Sequence, residues 1–180
     1  EPDLTMNLLS EHRAFGGTQR FLQHDSAEIG LPMRFALYVP PAPKALLVFL
    51  AGLTCTEETF TMKAGAQRLA SELGLALLMP DTSPRGAQVP GEADSWDFGV
   101  AAGFYLDAKQ QPWARHWRME SYLIQELIPL LGQDPIEMGL KGRTTRVLQT
   151  LREDPGTRAA FAVAFPESPG VTFANLARAI

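Results

Sequence analysis

The 180-residue sequence predicts an α/β domain, a mostly parallel sheet with an antiparallel pair of strands at its edge. Three observations predict it. Ala45 to Ala51 reads ALLVFLA, seven residues with no polar member and no alternation, which suits a strand covered on both faces. Leu75 to Pro80, LALLMP, is a second run of the same kind. Between them, Glu57 to Leu73 carries Ala66, Leu69, Ala70 and Leu73 at the three- and four-residue spacing of a helix. Strand, helix, strand in that order is a βαβ unit, whose strands run parallel.

The remaining elements follow from local chemistry. Thr18 to His24 and Met33 to Val39 are β-rich and partly alternating, and Gly30 and Pro32 mark a turn between them, so they form the antiparallel edge pair. Pro40, Pro41 and Pro43 end the second strand, because proline cannot donate to a ladder. Gly52 breaks the chain sharply after the first apolar run. Such a turn either presents backbone N–H groups to an oxyanion or simply ends a core strand, and the pattern alone serves both readings. Gly74 is a C-terminal helix stop. Asp81 to Asp97, rich in Pro, Gly, Asp and Ser, is a long loop, and long ordered loops tend to be functional. Met119 to Leu131 is an amphipathic helix with Tyr122, Leu123, Leu127 and Leu130 toward the core and Pro129 near its end.

Composition bounds the function. The chain is 46% hydrophobic and 20% charged, enough for one domain with a real core. Its net charge of -4 disfavours nucleic acid and anionic membranes as partners. No apolar run is long enough to span a bilayer and no signal peptide opens the chain. Cys55 is the single cysteine, so an internal disulfide is impossible and a reducing compartment, the cytoplasm, is expected. No spacing of histidine, cysteine and carboxylate points to a metal site.

The segment GLTCTEETFTMKAGAQR, Gly52 to Arg68, resembles the S-formylglutathione hydrolase (esterase D) family. The likeness begins near Leu9 with LSEHRAFGGTQRFLQHDSAEIGLPMRFALYVPP. It continues through MPDTSPRG and VPGEADSWDFGVAAGFYLDAKQQPWARHWRMESYLIQELIPLL to about Leu131. The resemblance implies the N-terminal part of an α/β-hydrolase fold, residues 1–131, followed by a divergent tail, 132–180. Family members are considerably longer than this chain, so the fold is expected to be incomplete. The implied function is serine thioesterase chemistry: S-formylglutathione is converted to glutathione and formate in formaldehyde detoxification, with no cofactor. The implied partner is that small thioester substrate; monomer and homodimer both stay open.

The same resemblance assigns the site. The backbone N–H of Leu53 is expected to donate to the tetrahedral oxyanion, with Gly52, Thr54 and Cys55 near the active site. A nucleophile elbow reading GHSMGG, with an aspartate and a histidine after it, is expected near residues 140 to 150, and it is absent. None of the serines is flanked by glycines in that pattern. Thr144 stands beside Arg143 and near Arg146, where an elbow tolerates only small residues. His12, His24 and His116 all precede the expected nucleophile, and Asp134 and Asp154 lack the family context. His116, beside Trp113 and Trp117, is expected to be structural. Losing one oxyanion donor costs about 10²–10³ in rate, whereas losing the nucleophile and its base costs on the order of 10⁶. Little or no hydrolase activity is therefore expected of this chain.

Two other classes stand beside that reading. One is a non-catalytic binding or interaction module derived from an esterase. The other is a cysteine esterase using Cys55, weighed against a small buried packing thiol, which is inert. Glu57 and Glu58 open a helix, where acidic side chains suit the dipole, and are expected to be structural.

Overall fold

The structure, a computed structural model, describes residues 6–133 and Pro155. Five strands form one sheet: β1 (Asn7–Ala14), β2 (Gly17–Asp25), β3 (Pro32–Val39), β4 (Ala45–Val48) and β5 (Leu75–Pro80), in the order β1-β2-β3-β5-β4. The β1–β2, β2–β3 and β3–β5 pairs are antiparallel. The β4–β5 pair is parallel, with Ala45 opposite Leu75 and Val48 opposite Leu78, as the βαβ pattern requires. The sheet is thus mixed, of α/β-hydrolase type, with its antiparallel side toward the N-terminus.

Side chains alternate across the sheet and feed two cores. On one face Met33, Phe35, Leu37, Ala76 and Leu78 pack with Met119, Tyr122, Leu123, Leu127 and Leu131. On the other, Ala36, Tyr38, Leu77 and Met79 pack with Ala70, Phe49 and Phe60. The result is a helix–sheet–helix sandwich. One outer layer holds α1 (Glu57–Lys63) and α2 (Gln67–Leu73). The other holds α3 (Met119–Ser121), a π-helical stretch Tyr122–Leu127 and α4 (Ile128–Gln133), without interruption. In the π stretch the Ile128 N–H reaches back to the Leu123 carbonyl, five residues away.

Several sequence expectations are corrected here. The run Ala45 to Ala51 is a strand only over Ala45–Val48 and is not covered on both faces, since Leu47 is 41% exposed. Among the described residues β4 has a neighbour on one side only, and β5, set between β3 and β4, is the strand buried on both faces. The β2–β3 pair is antiparallel as expected but is not at the edge. β1 lies outside it, where an exposed, charged segment showed no apolar alternation. The helix expected from Glu57 to Leu73 is two helices, because Gly65 takes φ +61° between them. The break lets α2 turn Ala70 inward, leaving Leu69 and Leu73 59% and 52% exposed. Leu130 is only half-buried, and Leu131 takes its place in the core.

The Gly74 stop holds, and the structure adds a cap at Thr56. Gly74 caps α2 at φ +70°, and a Cβ there would lie 2.9 Å from the Ala42 carbonyl oxygen. Thr56 opens α1 with a capping box. Its hydroxyl accepts from the Glu58 N–H, while its own N–H donates to Thr59 Oγ1 at 3.1 Å. The tail, 132–180, lies almost wholly outside the described residues, as do Asp134, Thr144 and Asp154.

Candidate active site

The Gly52 turn leaves the C-terminal end of β4, the rim where open α/β sheets place their ligands. Phe49 makes the last ladder bond, its N–H donating to the Leu78 carbonyl at 2.8 Å. Ala51 to Cys55 then forms a loop before α1. Gly52 and Thr54 are exposed, and Leu53 and Cys55 are half-buried.

Most of the loop's polar backbone is engaged. The Ala51 N–H donates to the Tyr105 hydroxyl at 3.1 Å. The Thr54 N–H donates to the Ala101 carbonyl at 3.0 Å, and the Cys55 N–H to the Gly52 carbonyl at 3.3 Å. The Cys55 carbonyl accepts the Thr82 hydroxyl at 2.7 Å and Arg85 Nη2 at 3.4 Å. Arg85 is itself held by Asp81, Nε to Oδ2 at 2.6 Å and Nη2 to Oδ1 at 2.9 Å. That bidentate geometry keeps the guanidinium more firmly charged than usual. The N–H groups of Gly52 and Leu53 have no acceptor among the described residues.

The loop and its support share an unusual backbone. Thr54, Ala101, Phe104 and Tyr105 all sit at positive φ, between 52° and 65°. A left-handed conformation costs a residue other than glycine on the order of 1–3 kcal/mol, and such residues gather where a site must be held in one shape. Here they are linked, since the Thr54 amide bonds the Ala101 carbonyl and the Tyr105 hydroxyl bonds Ala51. Tyr105 is half-buried, and its hydroxyl is pushed well above its ordinary range, mainly by burial. It therefore stays protonated and neutral. Glu57, buried at the start of α1, has its carboxyl pushed up, first by burial and then by Asp81 and Glu58, against its own backbone N–H and Arg34.

The side chains weighed as catalysts lie elsewhere. His12 is exposed on β1. His24 is buried, its Nε2 3.0 Å from the Tyr122 hydroxyl. His116 Nδ1 lies 2.7 Å from the Ile29 carbonyl oxygen, next to the edge-to-face pair Trp113 and Trp117, the structural setting expected of it. None of the three hydrogen-bonds the Ala51–Cys55 loop. Ser26, Ser71, Ser83, Ser95 and Ser121 donate to Glu126, Phe15, Pro84, Asp97 and Asp107 respectively, so each hydroxyl serves a structural bond. Glu57 and Glu58 take the helix-opening places expected of them. Among the described residues no group of three or more histidines, cysteines and carboxylates is placed to hold a metal ion, and no helix is long and apolar enough to cross a membrane. The segment after the loop also forms an apolar groove of about 410 Å³ lined by Phe98, Phe104, Leu106, Lys109, Trp113 and Trp117.

Sequence reasoning named Gly52 to Cys55 but assigned no role to Thr82, Arg85 or Tyr105. The wording that contains them, MPDTSPRG and GFYLDA, was the available signal.

Residues 26–135 match a protein-family profile described as esterase. An S-formylglutathione hydrolase from Mus musculus is 44% identical over 149 residues, which is 78% of this chain and 53% of the mouse protein. The solved S-formylglutathione hydrolase from Agrobacterium tumefaciens superposes with a TM-score of 0.68 at 46% identity, over 71% of this chain and 48% of its own. The chain therefore spans about half the length of these relatives.

Proposed function

The chain belongs to the esterase family, and from that premise we propose that it is the N-terminal, oxyanion-donating portion of an S-formylglutathione hydrolase. The observation that carries the reading is the Ala51–Cys55 loop. It lies at the end of a parallel strand, with the Gly52 and Leu53 amides unengaged among the described residues, in a chain 44–46% identical to S-formylglutathione hydrolases.

In the reaction so assigned, a serine hydroxyl outside the described residues, relieved of its proton by a base, attacks the formyl carbon of S-formylglutathione. The carbonyl oxygen becomes an oxyanion facing the Leu53 N–H. Collapse expels glutathione thiolate, and water then releases formate from the acylated serine. The loop's contribution is electrostatic: a fixed N–H dipole stabilises charge that is absent in the ground state. Gly52 allows close approach, and Thr54 and Cys55 carry the loop into α1. No cofactor enters the scheme. A cytoplasmic setting goes with the reading, supported by the single unpaired thiol. A homodimer belongs to the same proposal.

The purified 180-residue chain is expected to give no turnover of S-formylglutathione above the buffer rate, because no described serine is paired with a histidine. A kcat in the ordinary enzyme range, about 1–10³ per second, would overturn that expectation.

A second reading, a non-catalytic binding module, is favoured by one observation. Residues 6–133 cover both faces of the sheet and pack two cores. The cysteine-esterase reading lacks such support, since no histidine reaches Cys55. Iodoacetamide labelling of Cys55 that leaves any measurable turnover unchanged disposes of it.

A further inference from the structure

We propose that Tyr105 and Thr82 are positioning residues for the Ala51–Cys55 loop, holding its two ends so that the Gly52 and Leu53 amides stay unengaged and in place. Tyr105 holds the β4 end by accepting the Ala51 N–H. Thr82 holds the α1 end by donating to the Cys55 carbonyl, with Arg85, fixed by Asp81, behind it. The inference rests on the esterase reading only for what the loop is for; the frame itself is a matter of geometry.

Three features separate a frame from ordinary packing. First, the two side chains come from different parts of the 81–108 segment and converge on opposite ends of a five-residue loop. Second, the segment that carries Tyr105 is itself held in an unfavourable shape. Phe104 and Tyr105 are consecutive residues at φ +52°, and Ala101 is at φ +64°. A loop relaxed to favoured angles would withdraw the hydroxyl from Ala51. Third, the bonds between Tyr105 and Thr82 close the frame. Ser83 Oγ accepts the Ala101 N–H at 2.7 Å, and the Ala101 carbonyl accepts the Thr54 N–H. The Gly103 N–H donates to the Thr82 carbonyl at 3.1 Å. Every amide of the loop thus has an acceptor except those of Gly52 and Leu53, the second of which would face an oxyanion. An N–H left to rotate would lose its value there, because stabilisation of a developing charge depends on a dipole already oriented.

The test is amide hydrogen exchange followed by NMR on the full chain and on Tyr105→Phe, Thr82→Val and Thr82→Ser. The decisive probe is the Thr54 amide, whose own bond to Ala101 none of the substitutions touches. Tyr105→Phe and Thr82→Val are each expected to speed its exchange by about fivefold or more, the effect of losing one buried hydrogen bond. The β5 amides of Leu77 and Leu78 are expected to keep their protection. Thr82→Ser, which restores the donor, returns Thr54 exchange to the wild-type rate. Unchanged Thr54 exchange overturns the proposal. So does an equal acceleration at Thr54 and in β5, since the contacts would then serve only global stability. Tyr105→Phe removes a single oxygen and leaves no cavity, so it decides the question even if Thr82→Val fails to fold. Because the readout involves no hydrolysis, a failed frame and a failed esterase assignment are distinguishable.

Discussion

Glu126 is the residue on which the join between the β2–β3 turn and the α3–α4 layer depends. Its carboxylate is buried and accepts three donors from the turn: Ser26 Oγ at 2.5 Å, the Ala27 N–H at 2.8 Å and the Glu28 N–H at 3.1 Å. Replacing it with alanine strands all three. A buried donor left unsatisfied costs about 1–3 kcal/mol, so Glu126→Ala is expected to destabilise by about 3 kcal/mol in urea unfolding, and Glu126→Gln by distinctly less. His24 lies beside it, stacked on Tyr122 at 5.6 Å and edge-on to Phe35 at 5.9 Å. Burial holds its imidazole below the ordinary range, although Glu126, 3.9 Å from Nδ1, and Asp25 pull the other way. The unfolded chain thus binds a proton that the folded chain refuses. His24's contribution to stability is complete above about pH 6.5 and falls as pH drops below that value. The urea midpoint is expected to decline from pH 7.5 to 5.5, and His24→Gln to flatten the decline. A midpoint that rises over that interval would refute the linkage.

β4 is the element whose sequence and position disagree. Its residues, ALLV, have the unbroken apolar pattern of a strand covered on both faces, yet it forms the outer edge of the described sheet and Leu47 is 41% exposed. The N–H groups of Ala45 and Phe49 point at the β5 side, so by the alternation of a parallel ladder those of Leu46 and Val48 point outward. An uncharged, apolar edge is a template for pairing with another chain. β1, at the opposite edge, is guarded by a register break between Leu8 and Ser10 and by the Arg20–Glu11 ion pair. Leu47→Lys places a charge on the strand that has no outer neighbour among the described residues, at a side chain already 41% exposed. It is expected to lower association, read by sedimentation or light scattering, and to change stability by less than about 1 kcal/mol. Equal association of the two proteins would show that this edge is not the sticky one.

At the scale of the molecule the two cores are not independent. β3 and β5 contribute alternate side chains to both, so neither face loosens without disturbing the strands the other needs. Unfolding of residues 6–133 is therefore expected to be one cooperative transition, with far-ultraviolet circular dichroism and tryptophan fluorescence giving coincident midpoints. Separated midpoints would mean that the Trp113 and Trp117 region melts apart from the sheet. On the proposed reading the same architecture divides the chemistry: residues 6–133 would supply the oxyanion loop and its support, and the reaction would take its nucleophile and base from elsewhere.

What the sequence determined by itself was the part written in local patterns. The β4–helix–β5 crossover, the Gly74 stop, the Thr18–Val39 hairpin and the Met119–Leu131 helix were legible because period and turn chemistry act over a few residues. The GLTC loop was legible as wording. Only the tertiary structure decided which strand is central and which is edge, because burial depends on neighbours far away in the chain, and ALLVFLA reads the same with one partner or two. It alone brought His24 to Tyr122 and Ser26 to Glu126, 98 and 100 residues apart. It alone set Tyr105 on Ala51, a contact across 54 residues that depends on backbone angles no propensity favours.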